Sequence, residues 1–79
     1  MYYVYVLKNH KDGKLYKGFT ADLKRRIKEH SLGKASFTSR NGPWKLIYYE
    51  AFVDKMSAKK EELFLKSGKG RERLKYLLD

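Results

Sequence analysis

Six consecutive residues near the start of the chain, Tyr2-Tyr3-Val4-Tyr5-Val6-Leu7, are aromatic, β-branched or leucine. That composition predicts a buried strand. The apolar run stops at Lys8, far too short to cross a bilayer, and it has no basic lead or small-residue cleavage site. Asn9-His10-Lys11-Asp12-Gly13 follows as a turn, with Asp-Gly its strongest part. Lys14 to Gly18 then predicts a short second strand, antiparallel to the first and ended by Gly18.

The remaining pattern supplies covering layers. Thr20 or Asp22 can cap a helix running to about His30 or Leu32, with Gly33 as its stop. Lys34 to Pro43 is polar and predicts a loop. Trp44 to Val53 predicts a third strand, apolar on both faces at its centre, as suits burial between layers. Asp54 can cap a second helix over Lys55 to Lys66, which Ser67-Gly68-Lys69-Gly70 breaks. Arg71 to Leu78 forms a last helix, with Leu74, Leu77 and Leu78 at helical spacing. The expected class is α/β (α+β): a small, mostly antiparallel three-stranded sheet flanked by helices, in the order β-β-α-β-α-α.

A chain of 79 residues fits one domain, residues 1–79, and one modest core. With no cysteine, neither disulfides nor cysteine-bound zinc can staple it. The expected setting is soluble and cytoplasmic. Lys and Arg number 19 against 9 Asp and Glu, a formal charge of +10. That field points to a polyanion, nucleic acid before a membrane surface, bound less tightly as salt rises. Seven tyrosines in so basic a chain favour a folded domain over a disordered tail.

Several residues break the core-building pattern. Leu23 and Ile27 mark the inward stripe of the first helix, and Arg26 and His30 lie one turn apart at its border. The plain reading is a snorkelling arginine and a histidine at the helix's negative end. Glu62 shares a helix face with Ala58 and Leu65, so its carboxylate needs a partner, either a lysine or a metal ion. Tyr3 and Tyr5 point to one face of their strand and Tyr2 to the other. A phenol, with a pKa of about 10, is a poor base in water, but neighbouring cations favour its ionised form. His10 and His30 are too few and too separated for a zinc site, and Ser67-Gly68-Lys69-Gly70 lacks the full phosphate-loop pattern.

Together these residues resemble the GIY-YIG nucleases over almost the whole chain. Tyr3-Val4-Tyr5 stands at the first motif and Tyr16-Lys17-Gly18 at the second. Thr20 to His30 resembles the family's arginine-bearing helix with its trailing histidine, and Thr38 to Glu50 resembles the small single-domain bacterial branch. Glu62 falls where the metal-binding glutamate is expected. The sequence departs from the family at Tyr3, which replaces glycine, at Lys17, which replaces an apolar residue, and at Ala21, where relatives often carry a polar one.

The resemblance implies phosphodiester hydrolysis, with Tyr5, Tyr16, Arg26, His30 and Glu62 as catalytic residues. Tyr5 or Tyr16 would be the base, Arg26 would hold the phosphate and His30 would orient the base. Glu62 would hold one divalent ion, Mg2+ or alternatively Mn2+. Lys14, Lys17, Lys24, Arg25, Lys28 and Arg40 would contact the nucleic acid, with DNA favoured over RNA and DNA repair as the setting. The competing readings are a non-catalytic nucleic-acid-binding module that keeps the fold, and a protein-interaction or ribosome-associated module.

Overall fold

A computed structural model describes residues 1–31 and 44–78. The elements are β1 (Tyr2–Asn9), β2 (Leu15–Thr20), α1 (Leu23–Ser31), β3 (Trp44–Phe52), α2 (Lys55–Leu65) and α3 (Gly68–Leu78). This is the expected order, β-β-α-β-α-α. The sheet is antiparallel throughout, with strand order β2-β1-β3, so the most apolar strand is central and β2 and β3 are edges. The predicted loop Lys34–Pro43 and the predicted stop at Gly33 lie outside the described residues.

The hairpin between β1 and β2 closes as its turn chemistry requires. Buried Asn9 accepts hydrogen bonds from the backbone of Lys11 and Asp12 through its side chain, at 2.8 and 3.2 Å. Gly13 takes φ +74°, the left-handed region that glycine enters without steric cost. Tyr3 then faces Thr20, Tyr5 faces Gly18 and Leu7 faces Tyr16. Gly18 therefore does not end β2; it lies inside the strand, which runs on to Thr20.

The two sheet faces have different character. Val4 and Val6 point to one face, where they form the main core with Ala58, Leu65 and Leu74 from α2 and α3. Phe19 and Tyr2 stack beside them, with ring centroids 6.2 Å apart. Tyr3, Tyr5 and Leu7 point to the other face, under α1. The β1–β3 register slips between Val6 and Leu7, so that Ile47 and Tyr48 both pack against the main core, although regular strand neighbours alternate.

Local capping sets the helix ends. The Asp22 side chain accepts from Arg25 N at 3.1 Å, and that of Asp54 from Ser57 N at 2.9 Å. Ser67 ends the α2 turn and also starts α3: its hydroxyl oxygen accepts from Gly70 N at 3.2 Å and its carbonyl from Arg71 N at 3.0 Å. The expected break over Ser67–Gly70 is thus confined to Lys66 and Ser67, because Ser67 satisfies the first donors of a helix that begins at Gly68. No helix of the described residues is long and apolar enough to cross a membrane.

Candidate functional site

On the α1 face, four of the residues singled out in the sequence converge from three elements. Tyr5, only 1% exposed, points from the central strand, and its ring lies across Gly18 of β2. Its phenol oxygen is 2.9 Å from Nε2 of buried His30 and 3.4 Å from Nε of Arg26, both on α1. The Tyr16 ring completes the group, 6.3 Å from that of Tyr5 and 5.1 Å from that of His30. Trp44, the first residue of β3, walls the far side of Tyr16 at 6.4 Å.

The electrostatics assign protons within this group. Burial pushes the Tyr5 phenol up to about 12; the hydrogen bond from Arg26 opposes the rise, and the charge of Tyr16 adds to it. Burial, then the charge of Arg26, lowers His30, with Glu29 opposing. At neutral pH Tyr5 is therefore a protonated phenol beside a neutral imidazole. It accepts from Arg26 and shares a hydrogen bond with Nε2 of His30, whose direction follows the imidazole tautomer. Arg26 is held in its charged form by hydrogen bonds from its guanidinium to Tyr5 and then to Glu29, whose Oε1 lies 3.0 Å from Nη1. The Arg26 side chain is still 36% exposed, so its fork can reach a ligand.

Glu62 stands elsewhere. It is 6% exposed on α2, on the stripe of Ala58 and Leu65 that faces Val4 and Val6, and so belongs to the sheet face opposite Tyr5. Lys66 donates to its Oε2 at 3.3 Å. Lys59 Nζ lies 2.9 Å from Oε1, yet off the angles of a hydrogen bond, so that buried oxygen has a charged neighbour but no directed donor. The distance marks a Coulombic contact, and the lone pairs of Oε1 stay open. No group of three or more His, Cys, Asp or Glu able to share a metal ion occurs among the described residues.

The predicted nucleic-acid contacts divide between the faces. Lys24, Arg25 and Lys28 lie exposed on α1, with Arg25 3.6 Å from Glu29. Lys17 pairs opposite Val6 and shares the face of α2 and α3, and Lys14 lies exposed at the hairpin end. Arg40 lies outside the described residues.

Sequence reasoning missed Gly18, Glu29 and Trp44. Only Gly18 carried a signal: a glycine opposite an aromatic in a predicted hairpin marks close approach. A Cβ there would sit 2.3 Å from Cζ of Tyr5 and 2.4 Å from its hydroxyl. Gly18→Ala must displace a buried ring, which should cost about 2 kcal/mol and lower the melting temperature by roughly 10 °C. Calorimetry of the variant checks this; an unchanged melting curve would mean that the ring is not seated on Gly18.

Comparisons with known proteins identify the family of the chain. The family model described as the GIY-YIG catalytic domain matches residues 1–75. A UPF0213 protein of Clostridium perfringens is 46% identical over 84% of this chain and 71% of its own. One from Streptococcus agalactiae is 42% identical over 95% of this chain and 85% of its own. The solution NMR structure of a UPF0213 protein from Bacillus halodurans, 41% identical, covers 98% of this chain and 85% of that one, with a TM-score of 0.59. The chain belongs to the GIY-YIG family. That is a nuclease family, whose members bind nucleic acid and generally use divalent metal ions.

Proposed function

We propose that this chain is a GIY-YIG endonuclease, a single domain over residues 1–79 that hydrolyses a nucleic-acid phosphodiester, with DNA the favoured substrate. The observation that carries the reading is the convergence of Tyr5, Tyr16, Arg26 and His30 on one sheet face, with Arg26 still partly open to solvent. Arg26 binds the scissile phosphate through its planar fork and stabilises the charge that develops there. Tyr5 is buried and bonded to both His30 and Arg26, and so positions; the base role falls to Tyr16, half-buried at the edge strand. His30 fixes the Tyr5 hydroxyl and, through it, Arg26.

Glu62 is the residue that would hold a divalent ion, Mg2+ or Mn2+. Its undirected, buried Oε1 fits a hard cation, and exposed Lys59 can swing away to admit one. One carboxylate suits an ion that keeps most of its waters. When bound, such an ion would supply charge stabilisation for a leaving oxygen that reached the α2 face. The placement of Glu62 between two lysines, on the face opposite Tyr5, favours a second reading: a nucleic-acid binder that keeps the fold without cutting.

Incubation with supercoiled plasmid and branched DNA, with Mg2+ or Mn2+, separates the two readings. The expected result is metal-dependent cutting that Glu62→Ala abolishes and that Tyr16→Phe reduces about 10²- to 10⁴-fold, more than Tyr5→Phe does. Salt-sensitive binding without cleavage of DNA or RNA under either metal would establish the binder. Equal losses from the two tyrosine variants would remove the assignment of the base.

A further inference from the structure

The face opposite Tyr5 carries a groove of about 730 Å³ between the β1–β2 hairpin and α3. Lys8, Lys14 and Lys17 line it from the hairpin, and Arg71 and Lys75 from one face of α3. Its floor is apolar, with Ile47 and Leu74. No carboxylate of the described residues lines it, and none of the five cations makes an ion pair among them. Arg25, Arg26, Lys59, Lys66 and Arg73 are paired with glutamates; Lys11, Lys24, Lys45, Lys55, Lys60 and Lys69 also lack ion pairs among the described residues, but none of them lines the groove.

We propose that this groove is a second phosphate-binding surface, which holds a polynucleotide strand on the side of the sheet away from Arg26. Five uncompensated positive charges around one concavity repel each other. Arg71 and Lys75 are like charges one helical turn apart, which works against the helix unless an anion sits between them. Lys17 shows the same crowding: burial, then Arg71 and Lys66, hold its ammonium below the usual lysine range. A chain of regularly spaced phosphates relieves all of these contacts at once and releases counterions on binding. The apolar floor accepts sugar faces between the phosphates. A planar anionic membrane would meet the rim of the groove and leave its floor unfilled.

The position fits a strand that continues from the proposed nuclease site. β2 is an edge strand, with Tyr16 and Gly18 on the Arg26 face and Lys17 on the groove face. A nucleic acid that rounds this edge meets Arg26 on one side and the groove on the other. The inference rests on the nucleic-acid reading of the chain but not on its cleaving anything.

The test is fluorescence anisotropy with a short labelled DNA duplex and an RNA strand, in chelator so that no metal-dependent cleavage intrudes. The double variant Arg71→Glu/Lys75→Glu is compared with Lys55→Glu/Lys60→Glu, an equal charge change on exposed α2 positions outside the groove. The groove pair should weaken binding at least about tenfold and flatten the slope of log affinity against log salt by about two. The α2 pair should change both much less. Arg71→Gln/Lys75→Gln, which avoids charge reversal on the helix, should show a smaller loss in the same direction. Equal losses from both pairs, or none from the groove pair, would overturn the proposal. Loss of binding to phosphatidylserine vesicles but not to nucleic acid would overturn it in favour of a membrane surface. Groove-dependent binding by a chain that never cuts would uphold the groove and end the nuclease reading; cutting that ignores the groove would do the reverse.

Discussion

Arg26→Ala should lose nucleic-acid cleavage by roughly a thousandfold or more while staying folded, a loss of about 4 kcal/mol of transition-state stabilisation. The size follows from the position of the side chain. Arg26 is the cation hydrogen-bonded to the Tyr5 phenol, and it stays partly open on the side where a phosphate would arrive. The fold survives because nothing buried and charged is orphaned. Tyr5 keeps its bond to His30, and Glu29, its carboxylate held low chiefly by Arg26, still has Arg25 within 3.6 Å. The stability change should stay within about 1 kcal/mol. Arg26→Lys keeps the charge but loses the planar fork, and should recover only a small part of the rate. Single-turnover cleavage beside a thermal melt checks both statements. A variant that cuts normally would take the phosphate role from Arg26; one that fails to fold would make it a structural residue.

What the sequence could show was whatever depends on near neighbours along the chain. The run Tyr2–Leu7 and the turn Asp12-Gly13 together imply the hairpin, and Asp54 caps its helix as its type and place suggest. The one-turn spacing of Arg26 and His30 put them on one face, where both reach Tyr5. The inward aspect of Glu62 was also legible, and its lysine partners lie three and four residues away on the same helix. Gly18 and Gly70 failed for a shared reason. Locally, glycine signals a break; here each leaves room for a group from elsewhere, the Tyr5 ring or the end of α2. The bulge between Val6 and Leu7 had no local marker either. The cationic groove was hidden because its lysines and arginine come from opposite ends of the chain and meet only when α3 docks on the sheet.

The docking of α3 yields the other large effect, on stability. At Gly70 a Cβ would stand 1.9 Å from the carbonyl oxygen of Phe64 and 2.5 Å from Cα of Leu65. Both are backbone atoms at the end of α2, so no side-chain rotation can relieve the clash. Gly70→Ala must move α3, and with it Leu74, one turn further along the helix and 1% exposed in the core. The expected cost is about 3 kcal/mol or more, a fall in melting temperature of roughly 15 °C in a domain this small. Gly68, two residues earlier on the same helix, is the matched control, because a Cβ there meets nothing within 4 Å. Gly68→Ala should leave stability unchanged or raise it by up to about 1 kcal/mol, since alanine restricts the unfolded chain. Both substitutions remove one glycine's freedom from the unfolded state, so the difference between their melts isolates the helix–helix contact. Arg71 and Lys75 ride on the same helix, so Gly70→Ala should also open the groove and weaken nucleic-acid binding. If both variants melt together, the close approach of α2 and α3 is absent in solution, and the groove it shapes goes with it.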